Sequence, residues 1–199
     1  GSERQEGRTV ADVAALTAEL AEHLGHERFV TLGWSGGGPH ALASAALLPG
    51  RCAGAVTWAG VGPFDADSLD FLDGMGQDNI EEFGAALEGA DMLAAYLEPA
   101  AAGLRSAAPG DIVDQLRSLL PVVDQEVITG QTGEQWAEVF RWAVSSGIDG
   151  WFDDDIAFIS PWGFDLSAIR VPVAVWQGEQ DLMVPVAHAH WLTQAIATA

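Results

Sequence analysis

Five residues, Gly33-Trp34-Ser35-Gly36-Gly37, hold a hydroxyl between glycines in the pattern G-x-S-x-G. A serine hydroxyl is a weak nucleophile until a neighbouring base takes its proton, so the pattern matters only where the backbone presents the oxygen. A tight turn from a strand into a helix does so. Its backbone is strained, and the residues two positions away on either side must be small to avoid clashing. The amide of Gly36 would then face the place where an oxyanion develops, and the start of the next helix favours negative charge there. The plainer alternative is a small residue in a glycine turn. The surrounding elements decide between the two.

Those elements have the required order. "RFVTLGW" (28–34) is a short apolar, β-branched run that predicts a buried strand. Residues 40–48 predict a helix of small residues, with Pro39 in its first turn, where proline is tolerated. Upstream, Val10, Val13, Leu16, Leu20 and Leu24 recur at three- and four-residue steps and predict an amphipathic helix over 9–24. Thr9 with Asp12 resembles a capping box, and Gly25 suits the stop. "CAGAVTWAGV" (52–61) and "VPVAVWQGEQD" (171–181) predict two further strands, with a helix from 185 onward. Alternating helix and strand implies a parallel α/β sheet. Between Gly62 and Ser160 the pattern changes to helical stretches (80–98, 111–119, 134–146) broken by Gly and Pro.

The stretches "GWSGGGPHALA", "AGVGPFDA" and "PWGFDLSAIRVPVAVWQGEQDLMVP" resemble the α/β-hydrolase superfamily, in its cap-bearing, bacterial esterase-like branch. The resemblance runs over essentially the whole chain. It implies an α/β fold with a helical cap inserted into a parallel sheet: a partial core over 1–62 and 161–199, and a cap over 63–160. The N-terminal strands and the C-terminal strand of the family are expected to be missing, which would leave the strand of Ser35 as an open edge. The resemblance also implies a Ser–acid–His triad. Ser35 matches the nucleophile, Gly36 the oxyanion amide and Asp181 the acid; Trp34 would line the pocket, and Phe64 and Asp65 fall where the cap begins. A serine at the elbow argues against the members whose nucleophile is a carboxylate. Trp136, Trp142, Trp151 and Trp162 suggest a medium-sized apolar acyl or alcohol group, although a helical cap needs such residues simply to dock on a sheet.

The third triad member has no evident place. The family's histidine follows the acid after a further helix and strand, whereas His188 and His190 lie directly behind Asp181 on the predicted helix. Both are expected to be helix-face residues on the flank of the sheet, away from the serine. His23 and His26 are expected at a helix end in solvent, and His40 packed in the elbow helix. No metal site is expected, because the His-x-His pair lies at i and i+2, which diverge on a helix. No cofactor is expected either.

Composition narrows the partners. Eight arginines, no lysine and 29 acidic residues give a formal charge of −21. Such a surface repels phosphate backbones and anionic lipids, so neither nucleic acid nor membrane is an expected partner. "DDD" at 153–155 is expected to be a solvated loop. Cys52 is the sole cysteine, so no internal disulfide forms. Without an apolar leader or span, the chain is expected to be cytoplasmic, possible as a homodimer, and to act on a small molecule. The expected activity is hydrolysis of a small ester, lactone or amide through an acyl-enzyme on Ser35. The alternatives are a catalytically degenerate binding protein, or a non-hydrolytic member such as a cofactor-free peroxidase or a carbon–carbon bond hydrolase.

Overall fold

Thr9 opens the first helix much as its spacing predicts. Its backbone N–H and its hydroxyl both donate to Asp12 Oδ2, at 2.7 and 2.9 Å. Helix α1 runs Asp12–His23, and Gly25, at φ 74°, ends it as His26 N–H reaches back to the Ala21 carbonyl. The buried stripe differs from the apolar one. Leu20 and Leu24 are exposed, whereas Val10, Ala14 and Ala21 are buried. Small residues let α1 approach α2 (Gly37–Leu47) closely, and α2 is itself buried through Ala41, Leu42, Ala43, Ser44, Ala45 and Ala46. Two leucines would hold the helices apart, so they face outward.

The computed structural model describes residues 4–199, so residues 1–3 of the expected core lie outside it. The described chain forms two compact units. One comprises residues 5–73, 156–179 and 184–199; the other comprises Arg4, residues 74–155 and residues 180–183.

The first unit holds a parallel sheet of three strands: β1 (Phe29–Trp34), β2 (Cys52–Trp58) and β3 (Val173–Trp176), in that spatial order. β1 is therefore an edge, as its expected isolation requires. Thr31, Gly33, Ala55, Thr57 and Val173 face the helix side, and Thr57 and Val173 are fully or nearly fully buried there. The opposite face is open. Val30 is 73% exposed, Leu32 65%, Trp34 54%, Trp58 52% and Trp176 62%, and register places the three tryptophans side by side across the strands. An apolar face of this kind is expected to bind a hydrophobic dye such as anilinonaphthalene sulfonate in the folded state. Leu32→Lys should weaken that fluorescence without lowering stability; unchanged fluorescence would show that the dye sits elsewhere.

The second unit is helical: α3 (Gln77–Glu88), α4 (Ala90–Ser106), α5 (Ile112–Gln115), α6 (Val122–Val127), α7 (Gly130–Ala143) and the first part of α8 (Asp149–Ile159). Leu93, Leu97 and Ala101 of α4 are fully buried, and a core of Ala107, Ile112, Leu120, Ile128 and Ala137 takes Trp136 and Phe140 against it. Trp142 is instead 70% exposed, and Trp162 is buried in the sheet unit, stacked on Phe164. The acidic run at 153–155 is no solvated loop, because it lies within α8. Asp153 is buried against a bidentate Arg4 (2.7 and 2.9 Å), and Asp155 is buried near Glu82 of α3. Arg4 also reaches Asp149, so a cation and a carboxyl partner absorb charges that sequence alone sends to solvent. Among the described residues no helix is long and apolar enough to cross a membrane. The last helix, α9 (Val186–Ala195), belongs to the sheet unit.

Candidate functional site

Ser35 sits between the end of β1 and the start of α2 with φ 52°, a left-handed conformation rare for a residue with a Cβ. Its N–H donates to the Trp58 carbonyl at 2.8 Å, which extends the β1–β2 ladder past the strand end. Its carbonyl accepts from Gly38 N–H at 2.9 Å, which starts the helix. The turn is pinned from both sides, so the strain is held by the flanking elements. Ser35 is half-buried, and among the described residues no side chain hydrogen-bonds its hydroxyl.

The glycines around it divide sharply. A Cβ at Gly33 would lie 2.0 Å from the Gly37 carbonyl oxygen. A Cβ at Gly36 would meet the Phe158 ring at 2.8 Å, and one at Gly38 the Thr57 hydroxyl at 2.5 Å and Gly60 Cα at 2.9 Å. At Gly37 a Cβ would meet nothing within 4 Å. The requirement for a small residue two places after the serine is thus absent, and it falls on Gly36 and Gly38 instead. Gly36 caps α2, so its amide belongs to the helix-start N–H groups that have no intrahelical acceptor.

The other predicted residues are placed as follows. Trp34 is exposed on the open sheet face, with its ring centroid 6.4 Å from that of Trp58. It also lines a surface cavity of about 280 Å³ with Val13, Thr17, Leu32 and His40. Phe64 and Asp65 lie in the loop after β2. Phe64 lines a different cavity of about 600 Å³, and Asp65 is exposed. Neither cavity is lined by Ser35 or Gly36. Asp181 belongs to the helical unit. Its Oδ1 accepts from Met183 N–H at 2.8 Å, while Leu182 and Met183 carbonyls accept from Gly76 N–H and the Asn79 amide. Its loop is thus built onto the start of α3.

His188 is wholly buried, and both ring nitrogens are committed. Nδ1 accepts from Gly62 N–H and Nε2 donates to the Phe71 carbonyl, each at 3.0 Å. It has no free nitrogen with which to serve as a base. His190, His23 and His26 are exposed, and His40 packs on Phe158 with centroids 5.9 Å apart. Among the described residues no cluster of three or more His, Cys, Asp or Glu side chains is placed to hold a metal ion. Phe158 was not foreseen. Nothing in its local sequence marks it, because its role depends on a glycine more than a hundred residues away.

The model of a family described as the alpha/beta hydrolase fold matches residues 1–198. The chain belongs to the alpha/beta hydrolase fold family. A search of curated proteins found no match. Among solved structures the chain is similar to an alpha/beta hydrolase fold protein from Nakamurella multipartita (24% identity, TM-score 0.52, 96% of this chain and 65% of that one). It is also similar to the enol-lactonase from Burkholderia xenovorans LB400 (20% identity, TM-score 0.62, 96% and 63%) and to a thermophilic esterase from Thermogutta terrifontis (19% identity, TM-score 0.63, 99% and 64%). This alpha/beta hydrolase chain therefore spans less than two thirds of the length of each of the three. At these identities the likeness is one of fold.

Proposed function

We propose that this chain carries the nucleophile of a cytoplasmic, cofactor-free serine hydrolase acting on a small ester, lactone or amide. The observation that carries the reading is Ser35 at φ 52° between β1 and α2, with Gly33 pressed against the Gly37 carbonyl so that no larger residue could form the turn. Ser35 Oγ attacks the substrate carbonyl, and the Gly36 amide, at the N-terminus of α2, receives the oxyanion. An imidazole other than His188 takes the Ser35 proton and returns it to the leaving group, and Asp181 orients that imidazole and stabilises its charged form. Enol-lactonase and esterase neighbours support an acyl-transfer chemistry on this fold.

The test is turnover of p-nitrophenyl acetate. The 199-residue chain should be only marginally active, because an elbow without its base keeps roughly 10³–10⁴-fold over water. A chain of the neighbours' length that contains this segment should be fully active, and Ser35→Ala in it should abolish activity with the melting temperature unchanged. Brisk turnover that survives Ser35→Ala would overturn the proposal. Tight ligand binding with no turnover in the longer chain would favour a binding protein.

A further inference from the structure

The loop between β2 and the helical unit, residues 62–73, has no regular secondary structure, only single turns such as Ala66 N–H to the Pro63 carbonyl and Leu69 N–H to the Ala66 carbonyl. Yet it lines a cavity of about 600 Å³ through Phe64, Ser68, Leu69, Asp70, Phe71 and Leu72. Its order comes from α9. Trp191 Nε1 donates to the Asp67 carbonyl at 2.9 Å, and His188 bonds both Gly62 and Phe71. The imidazole stands edge-on to the Phe71 ring (5.1 Å, 82°), which in turn packs on Phe64 at 5.2 Å.

The tautomer follows from elimination. A backbone N–H can only donate, so Nδ1 must accept from Gly62, and the ring proton must sit on Nε2, which donates to Phe71. The imidazole is therefore neutral. A second proton has one place to go, Nδ1, where it would face the Gly62 N–H.

We infer that His188 is an acid-sensitive pin: neutral, it holds the cavity-lining loop 62–73 on α9, and a proton on Nδ1 breaks the Gly62 bond and loosens that loop. The acids of the loop, Asp65, Asp67, Asp70 and Asp73, and His190 on α9 are all exposed. Burial pushes the His188 pKa below its ordinary value and outweighs the opposite pull of the Phe71 carbonyl. A depressed folded value means that the pin's contribution is complete above the unfolded pKa of about 6.5 and is lost as pH falls through the folded one. His188 is thus a positioning residue for the cavity, and the inference holds whether or not Ser35 is a nucleophile.

Hydrogen exchange of the 60–73 peptides, corrected for the intrinsic pH dependence, tests this in the 199-residue chain. As pH falls from about 6.5, the open-state value, towards the lower folded value of His188, protection should fall about tenfold per pH unit, one proton being taken up on opening, and should level off below it. His188→Gln, neutral throughout and able to accept and donate, should flatten the profile. ¹⁵N-histidine spectra of the unsubstituted chain read the same event without relying on that variant: His188 should show an unprotonated Nδ1 at neutral pH, and its titration should coincide with the loss of protection. An Nδ1–H tautomer, or a loop whose protection is unchanged across the His188 titration, would overturn the inference.

Discussion

A Gly33→Ala chain is expected to lose the elbow, at a cost of about 3 kcal/mol or more, near the upper end of what overpacking does. The added methyl would lie 2.0 Å from the Gly37 carbonyl oxygen and 2.3 Å from its carbon. Both are backbone atoms held by the first turn of α2, so no side-chain rotation relieves the contact. Either β1 must withdraw from β2, which breaks the bond between Ser35 N–H and the Trp58 carbonyl, or α2 must shift against a buried alanine face. The matched control is Gly37→Ala. A methyl there meets nothing within 4 Å, and alanine is better than glycine in a helix by up to about 1 kcal/mol. Gly37→Ala should therefore be neutral or mildly stabilising, with Ser35 unmoved. Urea unfolding of the pair decides the matter. Equal costs for the two substitutions would mean that glycine serves the turn through backbone freedom rather than through space.

That contrast also shows what kind of information sequence held. The strand–Gly–Ser–helix order was legible because it depends on neighbours: β-branched residues before the turn, alanines after it, and a proline in the first helical turn. The open edge at β1 was legible from the resemblance to longer proteins. Which glycine carries the steric demand was not, because Gly36 is limited by Phe158 and Gly38 by Thr57 and Gly60, partners set by tertiary packing. Leu20 and Leu24 misled for a related reason. Periodicity locates a helix face but says nothing about how near the opposite helix comes, and an alanine surface accepts only small neighbours. Helix position alone sets His188 on a helix face, and the structure buries it with both ring nitrogens bonded to Gly62 and Phe71. Its two hydrogen bonds to a loop more than a hundred residues earlier carry no local mark.

The acidic run was the largest misreading, and it leads to an opposite pH dependence in the helical unit. Burial holds the carboxyls of Glu82 and Asp155 above their ordinary pKa values, and each negative charge disfavours the other, so the pair favours keeping a proton. Trp151 Nε1 donates to Glu82 Oε1 at 2.7 Å, while Asp155 Oδ2 is buried and receives no donor. Burial raises both pKa values, and the negative charges of Asp78 beside Glu82 and of Asp154 beside Asp155 add to the effect. The nearby Tyr96, whose hydroxyl donates to the Asp78 carbonyl, is raised in the same way by burial and by these acids. A carboxyl with a raised folded pKa contributes most below its unfolded value, about 4, and that contribution is lost as pH rises through the folded value. Exchange protection of the α3 and α8 peptides should therefore fall as pH rises, with a slope near 1.4 kcal/mol per pH unit for one proton released. In Asp155→Asn the amide can donate to Glu82 without needing that proton. The slope should vanish, and the variant should be more stable than the unsubstituted chain at pH 8 by about 1–3 kcal/mol, the cost of an uncompensated buried polar group. Glu82→Gln, which can donate to Asp155 from the other side, should flatten the slope as well. A slope that persists in both variants would place the titrating group elsewhere. A less stable Asp155→Asn at pH 8 would mean that the two carboxyls are ionised and held by partners outside the pair.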